Sequence, residues 1–268
     1  MLKLVWFIPR PERDIQSAET LYQGQHVRRG MRQENLCAFR ISRGLLPQPR
    51  SIQEMTGSAE PAVFRFSEGY WESFEDIEEC YRSPNGLAAL ADGMLNATPR
   101  VPRGPLPVFV AEEQSFATEA RLPFDIFRGA YADRQPAKLF LFVRLQAGAG
   151  PSFDDRYAAL AEQVGHVARL GPHLLSRRLD LTVRLGQSVQ WPSPEAERYD
   201  RIGEYYFPDE GALTAFVESA LFQEIAGLCR ELGEATLPVA TEPQEVFFTT
   251  LGHQPLSEGW LAFAREAR

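Results

Sequence analysis

An internal repeat is the feature that most constrains how this chain can fold. Four blocks of the first half recur in the second half, in the same order and at similar spacing. The blocks begin at Lys3, Gln23, Glu68 and Val108, and their counterparts begin at Lys138, Gln163, Glu204 and Val246. Each match is short, but four collinear matches with slightly drifting offsets are typical of a duplicated domain that has gained and lost residues in its loops.

Each copy predicts the same order of elements: strand, helix, strand, strand, helix, strand. The first copy gives strands over 2–8, 36–43, 63–71 and 107–112, and helices over 15–31 and 74–81 with a short helix over 87–95. The second copy gives strands over 139–145, 174–185, 199–207 and 245–250, and helices over 153–170 and 210–232. Apolar runs, the capping residues Asp14 and Ser73, and a loop rich in Pro, Gly and Ser before the third strand of the first copy support these bounds.

The order of elements predicts the fold class. Two βαβ crossovers in each copy give an antiparallel four-stranded sheet with both helices on one face. The other face is too apolar to meet water, so the two sheets are expected to cover each other. We therefore predict an α+β protein with one unit over residues 1–115, a packed linker over 116–136, a second unit over 137–252 and a C-terminal tail over 253–268.

Composition and charge argue against several classes of partner. The chain has 268 residues and a net charge of −8, so it lacks the basic footprint that nucleic acids and anionic membranes require. The apolar run 2–8 ends at Pro9, far short of a signal peptide or a membrane span. Three scattered cysteines indicate reduced thiols. We expect a cytoplasmic protein without a nucleic-acid or membrane partner.

The chain lacks the common motifs for cofactors and metals. No Gly-rich phosphate loop, CxxC, HExxH or GxSxG motif occurs, so metal, nucleotide and acyl-enzyme mechanisms have no sequence support. His26, His166, His173 and His253 are too scattered to predict a metal site. We therefore expect no cofactor and no metal.

His26 is the first candidate catalytic residue. It shares an inward-pointing helical face with Tyr22, and histidine can transfer protons near neutral pH. His166 occupies the corresponding place in the second copy. The alternative for both is a half-buried histidine that hydrogen-bonds to backbone at a helix end, with duplication alone explaining the recurrence.

Glu68 and Glu204 are further candidates, because each lies in an otherwise apolar third strand. Alternation places Glu68 on one face with Phe66 and Tyr70, and Glu204 on one face with Tyr206. A carboxylate on such a face must be paired, or must have a raised pKa that suits acid–base chemistry. The alternative is a place near solvent at a strand end, paired with an arginine.

Other residues on these strands could bind a ligand. Arg40, on the second strand, could hold a carboxylate or an enolate, although an inward arginine more often pairs with a glutamate. Trp6, Phe66 and Tyr70 fit the lining of a pocket for a flat ligand. These aromatic residues fit an ordinary core equally well.

Three features of the first copy resemble the EthD family. They are His26 near the end of the first helix, a third strand that ends in Glu68, Tyr70 and Trp71 before an acidic helix start, and the break Ser83-Pro84-Asn85-Gly86. The resemblance implies a ferredoxin-like unit that pairs into a dimeric α+β barrel, which a tandem chain would form within itself. It also implies chemistry on aromatic or polyketide-like compounds, since the family and its barrel relatives include cyclases, dehydratases, isomerases and small monooxygenases.

We interpret the chain as a cofactor-free enzyme that acts by proton transfer on a small aromatic or polyketide-like compound, as a dehydratase, cyclase, isomerase or decarboxylase. His26, Tyr22, Glu68 and His166 would be catalytic, and Trp6, Arg40, Phe66, Tyr70 and Glu204 would contact the substrate. Two alternatives stay open: a non-catalytic protein that binds or assists with a hydrophobic metabolite, and a cofactor-free monooxygenase of the same fold. Further pairing into a homodimer is also left open.

Overall fold

The protein alternates strands and helices in nearly the order that the repeat predicts. A computed structural model of the chain describes residues 2–8, 20, 27–88, 108–115, 136–167, 173–178, 199–242 and 245–249. Its strands are β1 (Leu2–Ile8), β2 (Ala38–Arg43), β3 (Arg65–Trp71), β4 (Val108–Ser115), β5 (Ala137–Leu145), β6 (His173–Arg178), β7 (Arg201–Phe207), β8 (Gly233–Ala240) and β9 (Glu245–Thr249). Its helices are α1 (Val27–Gly30), α2 (Arg50–Thr56), α3 (Phe74–Arg82), α4 (Gly150–Val164), α5 (Glu210–Val217) and α6 (Ala220–Leu232).

The strands form two antiparallel four-stranded sheets that join edge to edge. The described strands run in the order β8-β5-β7-β6-β4-β1-β3-β2-β9, and their pairings are antiparallel. The orders β4-β1-β3-β2 and β8-β5-β7-β6 are one ferredoxin-like arrangement repeated, and we call them the first half and the second half. A bridge from Gly44, just after β2, to Thr241, just after β8, closes the sheet on itself. The predicted fold class is therefore confirmed: the chain forms an α+β barrel from two tandem units.

Each sheet has an inner face, which meets the other sheet, and an outer face, which carries helices. Val5, Phe66 and Ile202 pack with Phe140 and Phe142 between the sheets, and the ring centroids of Phe66 and Phe140 are 4.4 Å apart. A larger core lies between the outer face of the second half and α4, α5 and α6. The two inner faces therefore cover each other.

The segment between β2 and β3, predicted as a loop, contains α2 and reaches across to the second half. The buried side-chain amide of Gln48 donates to the carbonyl of Ala240 in β8 and accepts from the N–H of the same residue, each at 2.9 Å. Ile52 in α2 belongs to the core under the helices of the second half, and Ser51 hydrogen-bonds to Glu218 at the end of α5. The first half therefore covers the outer edge of β8.

Two elements of the second half differ from the prediction. The strand that pairs with β5, as β4 pairs with β1, is β8 and not the predicted strand 245–250. β9 matches that predicted strand but pairs with β2 of the first half. The predicted helix 210–232 is two helices, because Ser219 caps a new helix, α6, by accepting from the N–H of Phe222. The repeat block at Val246 therefore matches β4 in sequence but not in its position in the sheet.

The second helix of the first half starts where the sequence predicts. Ser73 caps α3 by accepting from the N–H of Asp76, whose carboxylate accepts in return from the N–H of Ser73. Residues 84–88 are also helical, so this helix begins earlier than the predicted 87–95. Most of the predicted helix 15–31, almost all of the linker 116–136 and the tail 253–268 lie outside the described residues. The domain boundaries therefore stay predictions.

Membrane spans and metal sites can be checked only over these described ranges. There, no single helix is long and apolar enough to cross a membrane, although α5 and α6 taken together, with a bend of 61°, meet the requirement for length and composition. Over the same residues, no group of three or more His, Cys, Asp or Glu side chains could hold a metal ion. Cys37, Cys80 and Cys229 are buried and form no disulfide.

Candidate functional site

Four of the predicted site residues meet in one buried charged cluster on the inner face. The cluster consists of Lys3, Arg40, Glu68, Tyr70, Lys138, Glu204 and Tyr206, and all seven side chains are fully buried. We call it the inner cluster. Lys3 pairs with Tyr70 and Lys138 with Tyr206 in the sheets, so each half supplies a lysine, a glutamate and a tyrosine from equivalent positions. Arg40 comes from the first half only.

The lysine of each half binds the glutamate of the other half. Nζ of Lys138 lies 2.8 Å from Oε1 of Glu68, and Lys3 forms an ion pair with Glu204. Within the halves, Lys138 also pairs with Glu204, and Nζ of Lys3 lies 3.9 Å from Oε1 of Glu68. The two sheets are therefore joined by crossed ion pairs.

Two tyrosines and an arginine complete the inner cluster. Tyr70 donates to Glu68 and Tyr206 donates to Glu204, each at 3.0 Å. One guanidinium nitrogen of Arg40 lies 3.4 Å from the Tyr70 hydroxyl, and the guanidinium lies 4.9 Å from the centroid of the Tyr70 ring. The hydroxyls thus provide neutral donors that let the buried carboxylates keep their charge.

Burial and neighbouring charges act in opposite directions on the ionisation of this cluster. Burial raises the pKa of Glu68, but Lys138, Lys3 and Arg40 outweigh it and hold that pKa below its ordinary value. Burial lowers the pKa of Lys138 well below that of an ordinary lysine; Lys3 and Arg40 add to this effect, and Glu68 opposes it. Glu68 is therefore ionised at neutral pH, and Lys138 gives up its proton more readily than an exposed lysine.

The inner cluster links the two halves and is closed to solvent. Of the alternatives considered for Glu68, pairing is confirmed. A raised pKa is wrong, because the neighbouring cations stabilise the ionised form. A place near solvent is wrong as well, because Glu68 is fully buried. Glu68 forms an ion pair with Lys138 of the other half and lies 3.9 Å from Lys3 of its own half. The positive charge of Arg40, opposite Glu68 on the neighbouring strand, also lowers the pKa of Glu68.

The other predicted site residues lie elsewhere. Phe66 stacks with the rings of β5 in the inner core. His166 is exposed in the turn after α4, which differs from the inward position predicted for it. Tyr22, His26 and the side chain of Trp6 lie outside the described residues, so their roles stay predictions.

A second group of buried polar residues lies on the outer face of the second half. The hydroxyls of Tyr205 in β7 and Tyr157 in α4 are hydrogen-bonded to each other. The imidazole of His173 in β6 is nearly parallel to the Tyr205 ring, with centroids 5.7 Å apart and planes at 7°. Phe216 of α5 lies on the helical side, with its centroid 5.2 Å from that of Tyr205. Gly203 leaves room for this group, because a Cβ there would lie 3.3 Å from the Tyr205 hydroxyl and 3.4 Å from the Tyr157 hydroxyl.

Burial keeps this second group uncharged. It lowers the pKa of His173 to about 4 and raises the pKa values of Tyr157 and Tyr205 above that of an ordinary tyrosine. At neutral pH the imidazole is therefore neutral and both phenols are protonated. The group can exchange hydrogen bonds but carries no charge.

The equivalent place on the first half is built from different side chains. In the sheet, Gly69 pairs with Leu4 and Phe39, in the same register in which Tyr205 pairs with a leucine of β5 and with His173. Gly69 adds no side chain to the outer face, and Phe39 presents an aromatic ring where the second half has the imidazole. The two halves therefore differ at these two positions of their outer faces.

Helix α1 lies against this part of the first half. A Cβ on Gly30 would approach the Phe39 ring to 2.8 Å, so only glycine allows the helix to come this close. Val27, the residue after His26, is fully buried. The described end of this helix thus brings the chain that follows His26 onto the face that carries Gly69.

The sequence analysis missed two sets of residues in these places. Lys3 and Lys138 open the first repeat block in both halves, each in an apolar strand, and this recurrence is a signal that could have identified them. His173, Tyr157 and Tyr205 occur in the second half alone. The repeat carries no signal for them, since they meet only when α4 packs on the sheet.

Comparisons with known proteins agree with the fold. No family model matches the chain, and no curated protein matches it. One similar solved structure is described as an anthrone oxidase-like protein: the two chains are 10% identical, the TM-score is 0.59, and the match covers 96% of this chain and 95% of that one. Another is a candidate monooxygenase from Fusobacterium nucleatum, 6% identical with a TM-score of 0.54, matched over 96% of this chain and 97% of that one. At such identities the likeness shows the shared barrel fold, and the finer resemblance to the EthD family is not confirmed.

Proposed function

We propose that the protein is a cofactor-independent enzyme that removes a proton from a small aromatic or polyketide-like compound held on the outer face of the first half. The observation that carries this proposal is the difference between the halves at one register position. Tyr205 fills the outer face of the second half, whereas Gly69 adds no side chain beside Leu4 and Phe39. A glycine within a strand can mark a place where a ligand or another backbone approaches closely, and buried apolar side chains such as Leu4 and Phe39 suit the lining of a site for an aromatic ring.

His26 is the proposed base, and Tyr22, one helical turn earlier, is the proposed partner that orients the imidazole or the substrate. The burial of Val27 and the contact of Gly30 with Phe39 support a site beside this helix. The proposal gives the inner-cluster residues no contact with the ligand, because they lie on the opposite face of the sheet.

Oxidation by molecular oxygen is the reaction to test first, since one protein of the same fold is described as anthrone oxidase-like. In an anthrone, a CH₂ group lies between two aromatic rings and opposite a carbonyl. Loss of one proton to His26 gives a delocalised phenolate, whose ring carbon can pass electrons to O₂. The CH₂ carbon loses two hydrogens and gains one oxygen atom, and the second oxygen atom leaves as water, so no outside reductant is needed. The protein would hold the ring in place and accept the proton.

Oxygen uptake with an anthrone tests this proposal, with the two repeat histidines as a matched pair. We expect consumption of one O₂ per anthrone, and a loss of about 100-fold or more in kcat/KM for His26→Ala. His166→Ala should leave the rate unchanged, because His166 is exposed. Equal rates of oxygen consumption in wild type and His26→Ala would show that His26 is not the base. A wild-type rate no faster than the background oxidation would show that the protein does not catalyse the oxidation of anthrone.

Binding without catalysis is the second candidate, and the exposure of His166 favours it. If its counterpart His26 is exposed in the same way, no histidine faces the ligand, and the site can only bind. A stable quinone product such as anthraquinone then raises the melting temperature, since a ligand at about 100 times its Kd adds about 2.7 kcal/mol of stability. A thermal shift without any product from anthrone over hours would support this candidate.

A further inference from the structure

The break over residues 83–86, which follows α3, is held by hydrogen bonds to a carboxylate. Nδ2 of Asn85 donates to Oε1 of Glu34 at 2.7 Å. The Ser83 hydroxyl donates either to Oε2 of Glu34 or to a backbone carbonyl of α3. The same hydroxyl accepts from the N–H of Gly86 at 3.0 Å. We call the group formed by Glu34, Ser83 and Asn85 the Glu34 clamp.

The Glu34 clamp ties the turn after α1 to the ends of α3 and β3. The carbonyl of Glu34 accepts from the indole N–H of Trp71 at 3.2 Å. Burial raises the pKa of Glu34, but hydrogen bonds from Ser83, from its own backbone and from Asn85 outweigh burial and hold that pKa below its ordinary value. The carboxylate is therefore ionised at neutral pH, and the Asn85 amide is one of its donors.

Asn85 is followed by a glycine, whereas the other two asparagines of the chain, Asn35 and Asn96, are followed by larger residues. Glycine has no Cβ to keep its backbone nitrogen away from the preceding side chain, so an asparagine before glycine is unusually prone to lose its amide. The fold requires this glycine, because a Cβ on Gly86 would lie 1.9 Å from the carbonyl oxygen of Cys80. Asn85 itself is exposed to water.

We propose that Asn85 is a modification site, which converts to aspartate and isoaspartate when the Glu34 clamp opens and then keeps the clamp open. The Gly86 nitrogen attacks Cγ of Asn85 and loses its proton, and the amide nitrogen leaves as ammonia. Water then opens the resulting cyclic imide at either carbonyl. The overall change consumes water and releases ammonia, so it needs no oxidant or second enzyme. The proposal does not depend on the proposed function.

The closed clamp opposes this reaction at both reacting groups. The N–H of Gly86 is bound to Ser83, and the side-chain amide of Asn85 is bound to Glu34. Residues 84–88 are also helical, and the cyclic imide needs a different ψ at Asn85 from the helical value. The reaction therefore waits for a local opening, and its rate in the folded protein follows the opening equilibrium.

The product cannot restore the closed clamp. The new carboxylate has no N–H to donate, and it stands beside the ionised Glu34, where like charges repel each other. Isoaspartate also adds a carbon atom to the main chain, which disrupts the hydrogen bond from the N–H of Leu87 to the carbonyl of Ser83. The change thus reaches the turn after α1 through the loss of the hydrogen bond between Asn85 and Glu34.

Incubation of the purified full chain in mildly alkaline buffer tests the proposal, with peptide mass spectrometry that separates aspartate from isoaspartate. Asn85 should convert at least about tenfold more slowly in the native protein than in the chain unfolded by urea. Glu34→Ala and Ser83→Ala should each raise the native rate about tenfold, because each removes a hydrogen bond that closes the clamp. Glu78→Ala is the matched control and should leave the rate unchanged, because this carboxylate of α3 pairs with Arg82.

Amide hydrogen exchange gives the second measurement. Peptides that cover residues 31–37 and 83–88 should exchange faster in Asn85→Asp, which copies one product, than in Asn85→Gln, which keeps an amide donor. Equal exchange in these two variants would show that the product leaves the clamp closed, and would overturn that part of the proposal.

The remaining outcomes decide whether the clamp controls the reaction. Equal conversion rates in native and unfolded wild type overturn the proposal, and so do folded Glu34→Ala and Ser83→Ala variants that convert no faster than Glu78→Ala. If neither clamp variant folds, the ratio of the native to the unfolded rate in wild type decides. An unfolded chain in which Asn85 stays intact shows that this residue is not a modification site.

Discussion

Lys138 links the buried charges of the two halves. It contacts both Glu68 and Glu204, and none of the three side chains is exposed. Removing one partner of a buried ion pair leaves an uncompensated charge, whereas removing both partners together avoids that penalty. The inner cluster should therefore be sensitive to single substitutions and tolerant of paired ones.

Lys138→Met should lower the free energy of unfolding by about 3 kcal/mol, and Glu68→Leu by a similar amount. The double variant should lose clearly less than the sum of the two, because no unpaired charge is left at their contact. Urea denaturation of the three variants and the wild type gives the coupling energy. Arg156→Met is the control: its bidentate pair with Glu231 is exposed, so the loss should stay below about 1 kcal/mol. Additive losses for Lys138 and Glu68 would contradict the crossed ion pairs.

His173 should make the stability depend on pH between about 4 and 6.5. Burial lowers its pKa from 6.5 to about 4, so in this range the unfolded chain binds a proton that the folded chain does not. Acidification therefore favours unfolding, and the loss from pH 7 to pH 5 should be about 2 kcal/mol.

The substitution His173→Phe, which copies Phe39 of the first half, should remove that part of the pH dependence. Urea denaturation of both proteins at pH 7 and pH 5 measures it, and carboxylates shared by the two proteins cancel in the difference. If wild type and variant lose the same free energy of unfolding between pH 7 and pH 5, the imidazole is protonated, or reached by water, in the folded protein.

At the scale of the elements, Gln48 fixes the segment with α2 to the edge of β8. Gln48→Met keeps most of the side-chain volume but leaves the N–H of Ala240 without its acceptor. We expect a loss of about 2 kcal/mol in the free energy of unfolding. Arg50→Ala, two residues away and exposed beside Glu54, should change stability by less than about 0.5 kcal/mol. An equally small change for Gln48→Met would mean that water replaces its hydrogen bonds.

The elements that the sequence predicts well are those whose residues carry the signal themselves. β1 and β3 are apolar strands, and α3 begins at the capping box of Ser73 and Asp76. The missed elements depend on partners distant in sequence. β8 contains Gly233 and Pro238 and is a strand because it pairs with β5, and α2 forms in a segment rich in turn residues because Ile52 packs into the core of the other half.

Part of the site could be predicted from the sequence, and part depends on contacts between distant elements. Strand alternation places Glu68 and Tyr70 on one face, and the need to pair a buried carboxylate follows from its charge. The identity of the partner does not follow, because Lys138 reaches Glu68 only when the two sheets face each other. Tyr205 and Tyr157 likewise meet through the packing of α4 on β7, a contact that no local pattern encodes.

At the scale of the whole molecule, shared contacts couple the unfolding of the two halves. They share a continuous sheet through the pairing of β4 with β6 and the bridge between Gly44 and Thr241. They also share the ion pairs of the inner cluster, and the segment with α2 belongs to the core of the opposite half. Loss of either half would expose the inner face of the other with its buried charges.

Amide hydrogen exchange should therefore report one opening free energy for the central strands of both halves. Peptides that cover β3 and β7 should agree within about 1 kcal/mol under conditions where exchange follows the opening equilibrium. Lys138→Met, a substitution in the second half, should lower the protection of β3 and β7 together, since its contacts with Glu68 and Glu204 bind both strands. The exposed Arg156→Met should leave both unchanged. A variant that loosens β7 while β3 keeps its protection would show that the halves open independently, and the barrel would then be two domains in contact rather than one cooperative unit.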